Sequence, residues 1–186
     1  MIYKKSIKNK FDAAYYNHIE QFYNIGITAL HILNRLNYHR FLKKATENKS
    51  ICLNSFSHKD IIKKTGKYYL TKLDDISVDI QINDLAKFIK MLMYKSSYKW
   101  SFFKAKQLID AYEKINTLDR EQLEILLSLI IFLEKFWKLG KKRYIKQKKW
   151  DEAKYTKKLK RQLIYIDLQQ SFLEEYLKYL EKYYNE

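Results

Sequence analysis

The chain has 186 residues and a formal net charge of +16, from 37 Lys and Arg against 21 Asp and Glu, with 47% apolar and 16% aromatic residues. That apolar fraction is enough for a packed core and excludes wholesale disorder, while one cysteine excludes both an internal disulfide and a zinc cluster built on thiolates. Three Gly and no Pro, beside abundant Leu, Lys, Ile and Tyr, point to a mostly helical protein.

Phe11, Tyr15, Ile19, Phe22, Ala29, Leu33 and Leu36 recur at helical spacing and predict a helix over residues 5–36. Gly26 falls on the same stripe, where it allows close packing or a bend. Asn37 is a candidate cap for a second helix reaching about Thr46, so residues 1–49 read as helices. Residues 50–56 read as a mixed loop. Ile61-Ile62 and Tyr68-Tyr69-Leu70 are short β-type runs around Lys64-Thr65-Gly66-Lys67, which predicts a hairpin.

Helical spacing resumes at Asn83 with Leu85, Phe88, Ile89, Leu92 and Met93, opening a core region over 82–149. Ser101 is a candidate cap for 102–115, and Asp119 followed by Gln122 is a capping-box signature. Leu123 to Leu133 is apolar on every side and reads as the central element; its eleven residues, Glu124 and Ser128 included, fall short of the about 20 a membrane span needs. Phe136, Trp137 and Tyr144 carry an apolar side onward. From Asp151 one long helix is expected to residue 184. Its Leu159, Leu163, Ile166, Gln170, Leu173, Leu177, Leu180 and Tyr184 repeat as a heptad seam with a polar break at Gln170. Such a helix packs along its own domain or, in the sharper reading, associates with a second copy. No linker or internal repeat is visible, so 1–186 reads as one domain.

Between Lys135 and Arg161 stand 13 basic residues against Asp151 and Glu152. A block like this, with Trp137, Tyr144 and Trp150 interleaved, suits nucleic acid or another polyanion, with Lys141, Lys142, Arg143, Lys146, Lys148 and Lys149 as candidate contacts. A solvated helix face, or an AT-rich coding sequence that raises Lys, Ile, Asn and Tyr together, explains the same composition. Residues 11–25 mix Asp12, Asn17, His18 and Glu20 among apolar residues, so no signal-peptide core is visible and synthesis in a cytoplasm is expected. There is no GxxxxGK[ST] or GxGxxG. His18, His31, His39 and His58 lack metal-ligand spacing, Cys52 reads as a small buried hydrophobe, and no metal or cofactor is expected.

One stretch carries more. Residues 51–62 (ICLNSFSHKDII) form a loop and strand, followed by 66–74 (GKYYLTKLD) and 82–89 (INDLAKFI). This order resembles the HxDxxxxN catalytic loop, hairpin, and DFD and DLA motifs of kinase-like aminoglycoside phosphotransferases, and within that superfamily it resembles the CotS family of bacterial spore coat proteins. Tyr98-Lys99-Trp100-Ser101-Phe102, Phe132-Leu133-Glu134-Lys135-Phe136-Trp137-Lys138 and Lys148-Lys149-Trp150 are also similar to that family. The resemblance implies a mostly α fold with a small β-hairpin, the C-terminal lobe of a kinase-like fold with the N-terminal lobe absent, because only about 50 residues, read as helix, precede the loop.

A kinase loop needs an Asp to accept the substrate hydroxyl proton, an Asn beside the magnesium, and a second Asp on the metal. In the matching register Leu53 stands at the His position, Ser55 at the catalytic Asp, Asp60 at the Asn and Lys72 at the metal-binding Asp, with Asp74 just beyond. A cation at a magnesium site repels the metal, and a serine is too weak a base to replace a carboxylate. The resemblance therefore implies a catalytically degenerate, structural protein, made in the mother cell and placed in the spore coat with other coat proteins as partners. It also implies an exposed apolar face around residues 51–75, where the missing lobe would have packed.

Overall fold

The computed structural model describes residues 9–54, 57–71 and 73–181. Helix α1 spans Lys10–Arg35 and starts where the Asn9 side chain accepts the Asp12 N–H at 2.8 Å, an N-cap that satisfies one of the orphan donors of the first turn. Its inward stripe is Phe11, Tyr15, Phe22, Ile25 and Ala29, spaced by three, four and seven. Gly26 neither bends the helix nor enforces contact, since an added Cβ would meet Phe132 and Trp137 only at 3.8 and 3.9 Å. Helix α2 (Tyr38–Glu47) follows a single left-handed residue, Asn37 at φ 52°; the expected side-chain cap is not made there. Asn reverses the chain instead, because it tolerates the left-handed region better than most residues.

The segment read as a loop contains strand β1 (Ile51–Cys52), which pairs antiparallel with β4 (Ser77–Val78). Two-residue strands leave no alternation to read, so sequence patterning could not show them. The predicted hairpin is present as β2 (Ile61–Lys64) and β3 (Lys67–Leu70), in register from Ile61 opposite Leu70 to Lys64 opposite Lys67. Thr65 (φ 48°) and Gly66 (φ 78°) turn it with positive φ at both central positions, the geometry whose twist matches paired strands. Both ribbons lie outside the core. Ile51, Ile62, Tyr68, Tyr69, Leu70 and Leu73 are exposed apolar side chains in the region where an apolar face was expected, while Cys52 there is fully buried.

The core is helical. Helix α3 spans Ile82–Met93 and α4 spans Phe102–Glu113, the latter entered through Ser101 without a side-chain cap bond. Helix α5 (Arg120–Ile131) opens with the full capping box: Asp119 accepts the Gln122 N–H at 2.8 Å, and Gln122 accepts the Asp119 N–H at 2.9 Å. Leu123, Ile125, Leu126, Leu127 and Ile130 are completely buried, and α5 packs on α1, α3 and the last helix. Its one buried carboxylate, Glu124, pairs with Arg35 of α1 and with Arg120 one turn back at 3.1 Å, which offsets the cost of burying charge. Helix α6 (Glu134–Gly140) runs into a π-helical turn, Lys141–Ile145.

The single helix expected from Asp151 to residue 184 is instead two, α7 (Glu152–Leu163) and α8 (Ile166–Glu181), broken at Ile164-Tyr165. The buried side of α8 becomes Ile166, Gln169, Phe172, Tyr176, Tyr179 and Leu180, while Gln170 and Leu177 of the expected seam face solvent and Tyr184 lies outside the described residues. Phe172 and Tyr176 pack edge-on and tilted against Trp100 and Phe102, and the Tyr176 hydroxyl donates to the Leu123 carbonyl at 3.0 Å. Aromatic packing adds to this face, in which Leu159, Ile166 and Leu180 of the expected seam are also buried and Leu163 and Leu173 pack against the core. No helix among the described residues is long and apolar enough to cross a membrane.

Candidate functional site

Two regions bear chemistry: the loop after β1 and a cleft beside α7. In the first, Asp84 at the start of α3 reaches back across the loop. Its two carboxylate oxygens accept the backbone N–H groups of Leu53 and Asn54 at 2.6 and 2.9 Å. Asn54 sits in the left-handed region at φ 58°. Its amide donates to the Asp75 carbonyl (2.9 Å) and to the Ser77 hydroxyl (2.7 Å), and its carbonyl accepts from the Lys87 ammonium at 2.7 Å. The loop is thus tied to α3 by charge-assisted bonds, the stronger kind, and to the β4 ribbon by neutral ones. Cys52, fully buried just before it, has its thiol pushed up to about 11 by burial, with Asp84 and Asp79 adding to the effect. Such a thiol is inert at neutral pH.

The expected loop positions separate in space and role. Leu53 is half-buried and contributes its backbone to Asp84. Asp60 ends a 3-10 turn, His58–Asp60, in which its carboxylate accepts the backbone N–H and the hydroxyl of Ser57, both at 2.7 Å. That reciprocal cap engages one carboxylate oxygen of Asp60. Asp74 is exposed at a turn, and Ser55 and Lys72 lie outside the described residues. Among the described residues, no three His, Cys, Asp or Glu side chains converge as a metal cage.

The second region is an open cleft of about 1070 Å³ between α6 and α7. Lys135 and Lys138 line it from α6, Lys142 from the π turn, and Lys157, Lys158, Lys160 and Arg161 from α7; among the described residues no carboxylate lines it. Of the six candidate polyanion contacts, only Lys142 faces this cleft. Arg143 is drawn inward, 2.9 Å from Glu152 and with its guanidinium 4.7 Å from the Tyr155 ring centroid, so it buttresses the fold and is removed from that surface. Lys141, Lys146, Lys148 and Lys149 are exposed on the turn and the segment after it and do not line the cleft, although the Lys148 ammonium lies 5.5 Å from the ring centroid of Trp150, which does. The basic block was visible in the sequence, but which of its members converge depends on the π turn and on how α7 folds back on α6.

The π turn also directs Tyr144 toward α1, where its hydroxyl donates to the buried Asp12 carboxylate at 2.7 Å. Burial, with the Asp12 bond and charge, raises the Tyr144 hydroxyl far above its ordinary range. Trp150 lies under four ammonium groups, those of Lys142, Lys148, Lys154 and Lys158, at 4.9 to 5.5 Å from its ring centroid. The Lys135 ammonium sits 4.4 Å over Tyr94, and burial holds it below the usual lysine range, with Glu134 opposing.

No protein-family model matches the chain. It is 27% identical over 166 residues to spore coat protein S of Bacillus subtilis (strain 168), an alignment covering 89% of this chain and 47% of that protein. Its structure superposes on the crystal structure of an aminoglycoside phosphotransferase from Alicyclobacillus acidocaldarius with a TM-score of 0.83 at 12% identity, covering 97% of this chain and 53% of the other. The chain therefore spans about half the length of each protein it matches. The chain is similar to spore coat protein S in sequence and has the kinase-like fold of the aminoglycoside phosphotransferase over the part it spans.

Proposed function

We propose that the chain is a non-catalytic, structural component of the bacterial endospore coat, made in the mother cell and held there by contacts with other coat proteins. The observation that carries this reading is the state of the kinase-like loop. In the register that the resemblance implies, Ser55 and Lys72 stand where the catalytic and metal-binding aspartates would be, and the Asp60 carboxylate is engaged in capping its own turn. A phosphotransferase needs carboxylates free for a hydroxyl proton and for magnesium. The same loop is nevertheless held in place by Asp84, Asn54 and Lys87, which supports retention of the fold as a scaffold. Similarity to spore coat protein S supports the location, and the exposed apolar ribbons offer a face for neighbouring proteins.

Two measurements test this. A fluorescent fusion expressed during sporulation should concentrate in the coat fraction of purified spores; recovery only from soluble cytoplasm overturns the location. Thermal unfolding with millimolar ATP and magnesium should show no stabilisation. A saturable rise in Tm, with phosphate transferred to a small-molecule hydroxyl, overturns the non-catalytic reading.

A further inference from the structure

The cleft between α6 and α7 lies apart from the kinase-like loop, and nothing in the loop chemistry accounts for it. Its cations are not neutralised locally. Lys138 pairs with Glu134 at 3.0 Å, but no carboxylate pairs with Lys142, Lys157, Lys158, Lys160 or Arg161 among the described residues. One indole cannot neutralise the four ammonium groups around it, because each cation–π contact is weak where water reaches it. Like charges gathered in a concave surface focus a positive potential there. The residual charge is available to an anionic partner.

The chemistry of the cleft distinguishes among anions. Single-stranded nucleic acid needs open aromatic faces on which bases stack. Here Trp150 is surrounded by ammonium groups and by the Tyr155 ring at 5.1 Å, and Tyr94 is covered by Lys135 and flanked edge-on by Trp100 and Tyr165. The lining cations on α7 are three lysines and one arginine, donors that pair with carboxylates as readily as with phosphates, so the aromatic and aliphatic surroundings decide between the two. Between them lie Leu139, Ala153 and Ile164, the last 71% exposed at the break between α7 and α8. Ammonium groups beside exposed aliphatic carbon are complementary to carboxylates interspersed with aliphatic side chains. We propose that this cleft docks an acidic segment of a partner protein, one that alternates Asp or Glu with apolar residues. The inference stands on the cleft alone and does not depend on where in the cell the chain resides.

Fluorescence anisotropy with the full chain tests it, using three labelled probes of equal length: a 20-residue peptide of Glu with Leu at every third or fourth position, a 20-residue poly-Glu, and a 20-nucleotide oligothymidine. The Glu–Leu peptide should bind tightest, by roughly tenfold over poly-Glu, because the exposed Ala153 and Ile164 take up its leucines. Lys157→Gln/Lys160→Gln/Arg161→Gln, all exposed positions, should weaken it by roughly tenfold. A charge-matched control elsewhere, Lys64→Gln/Lys67→Gln/Lys114→Gln, should leave binding within about twofold. Circular dichroism confirms that both triple variants fold. The proposal is overturned by equal weakening in the control, which means diffuse charge. It is also overturned by oligothymidine binding as tightly as the peptide, by poly-Glu matching the Glu–Leu peptide, or by no binding at low salt.

Discussion

Substituting Gly140 by alanine sets two effects against each other. Gly140 has helical dihedrals, φ −59° and ψ −45°, so alanine fits the backbone and propensity alone predicts a gain of about 0.5–1 kcal/mol. The tertiary contact reverses the sign. A Cβ there would lie 2.0 Å from the Tyr15 hydroxyl oxygen and 2.6 Å from the ring carbon bearing it. Tyr15 has little room to retreat: it is 4% exposed, its ring is stacked 4.3 Å from Phe136 at an interplanar angle of 5°, and Phe11 lies 5.6 Å away. Its hydroxyl donates to the Phe136 carbonyl at 3.4 Å, a weak bond that displacement would break. Overpacking costs about 1–3 kcal/mol and a lost buried hydrogen bond about 0.5–1.5 kcal/mol, so the net expectation is a loss of about 1–3 kcal/mol. With an m-value of about 2 kcal/mol/M, the urea midpoint of Gly140→Ala should fall by roughly 0.5–1.5 M. Adding Tyr15→Phe removes the nearest atom but leaves the contact at 2.6 Å, so the double variant should recover only part of the loss. A variant as stable as the parent would refute the argument, since propensity would then outweigh packing at this site.

Three further outcomes follow from other sites. Asp84→Asn keeps one acceptor oxygen and leaves either the Leu53 or the Asn54 N–H unpaired, so stability should fall by about 1–3 kcal/mol and exchange of those two amides should accelerate selectively; unchanged exchange counts against Asp84 as the anchor. The Lys90 ammonium donates to the Leu129 and Phe132 carbonyls at 2.8 and 3.2 Å, closing the end of α5, so Lys90→Met should cost about 1–3 kcal/mol despite relieving a buried charge; a more stable variant would show that the charge costs more than the bonds contribute. Burial raises the Cys52 thiol from 9.0 to about 11 and also raises Tyr15, Tyr94 (to about 12) and Tyr144 above 10.0. The folded state then holds protons that the unfolded chain releases, so stability is flat below about pH 9 and falls as pH rises toward 11 and beyond. Lys90, whose pKa burial lowers, opposes this weakly. Urea titrations from pH 8 to 11 should show the decline, and Cys52 should resist a thiol reagent at pH 8 until the chain unfolds.

The sequence by itself determined the helical class, the caps that start α5 and the hairpin, because these depend on neighbours a few residues apart. Asp119 and Gln122 are three residues apart, and Thr65-Gly66 closes strands that touch it directly. It also carried the resemblance to the coat-protein and phosphotransferase folds through contiguous stretches such as Asp84-Leu85-Ala86 and Glu134-Lys135-Phe136-Trp137. The tertiary structure decided what depends on distant partners. The leucine repeat after Asp151 looked continuous, yet α7 and α8 are separate helices, and the Phe172 and Tyr176 rings pack on Trp100 and Phe102, some 70 residues earlier. Arg143 read as one more surface cation, and only the π turn shows it folded onto Tyr155 and Glu152. Local pattern records the short-range terms of the free energy. The convergence of α6 and α7 cations is set by long-range packing, which periodicity along a single chain does not encode.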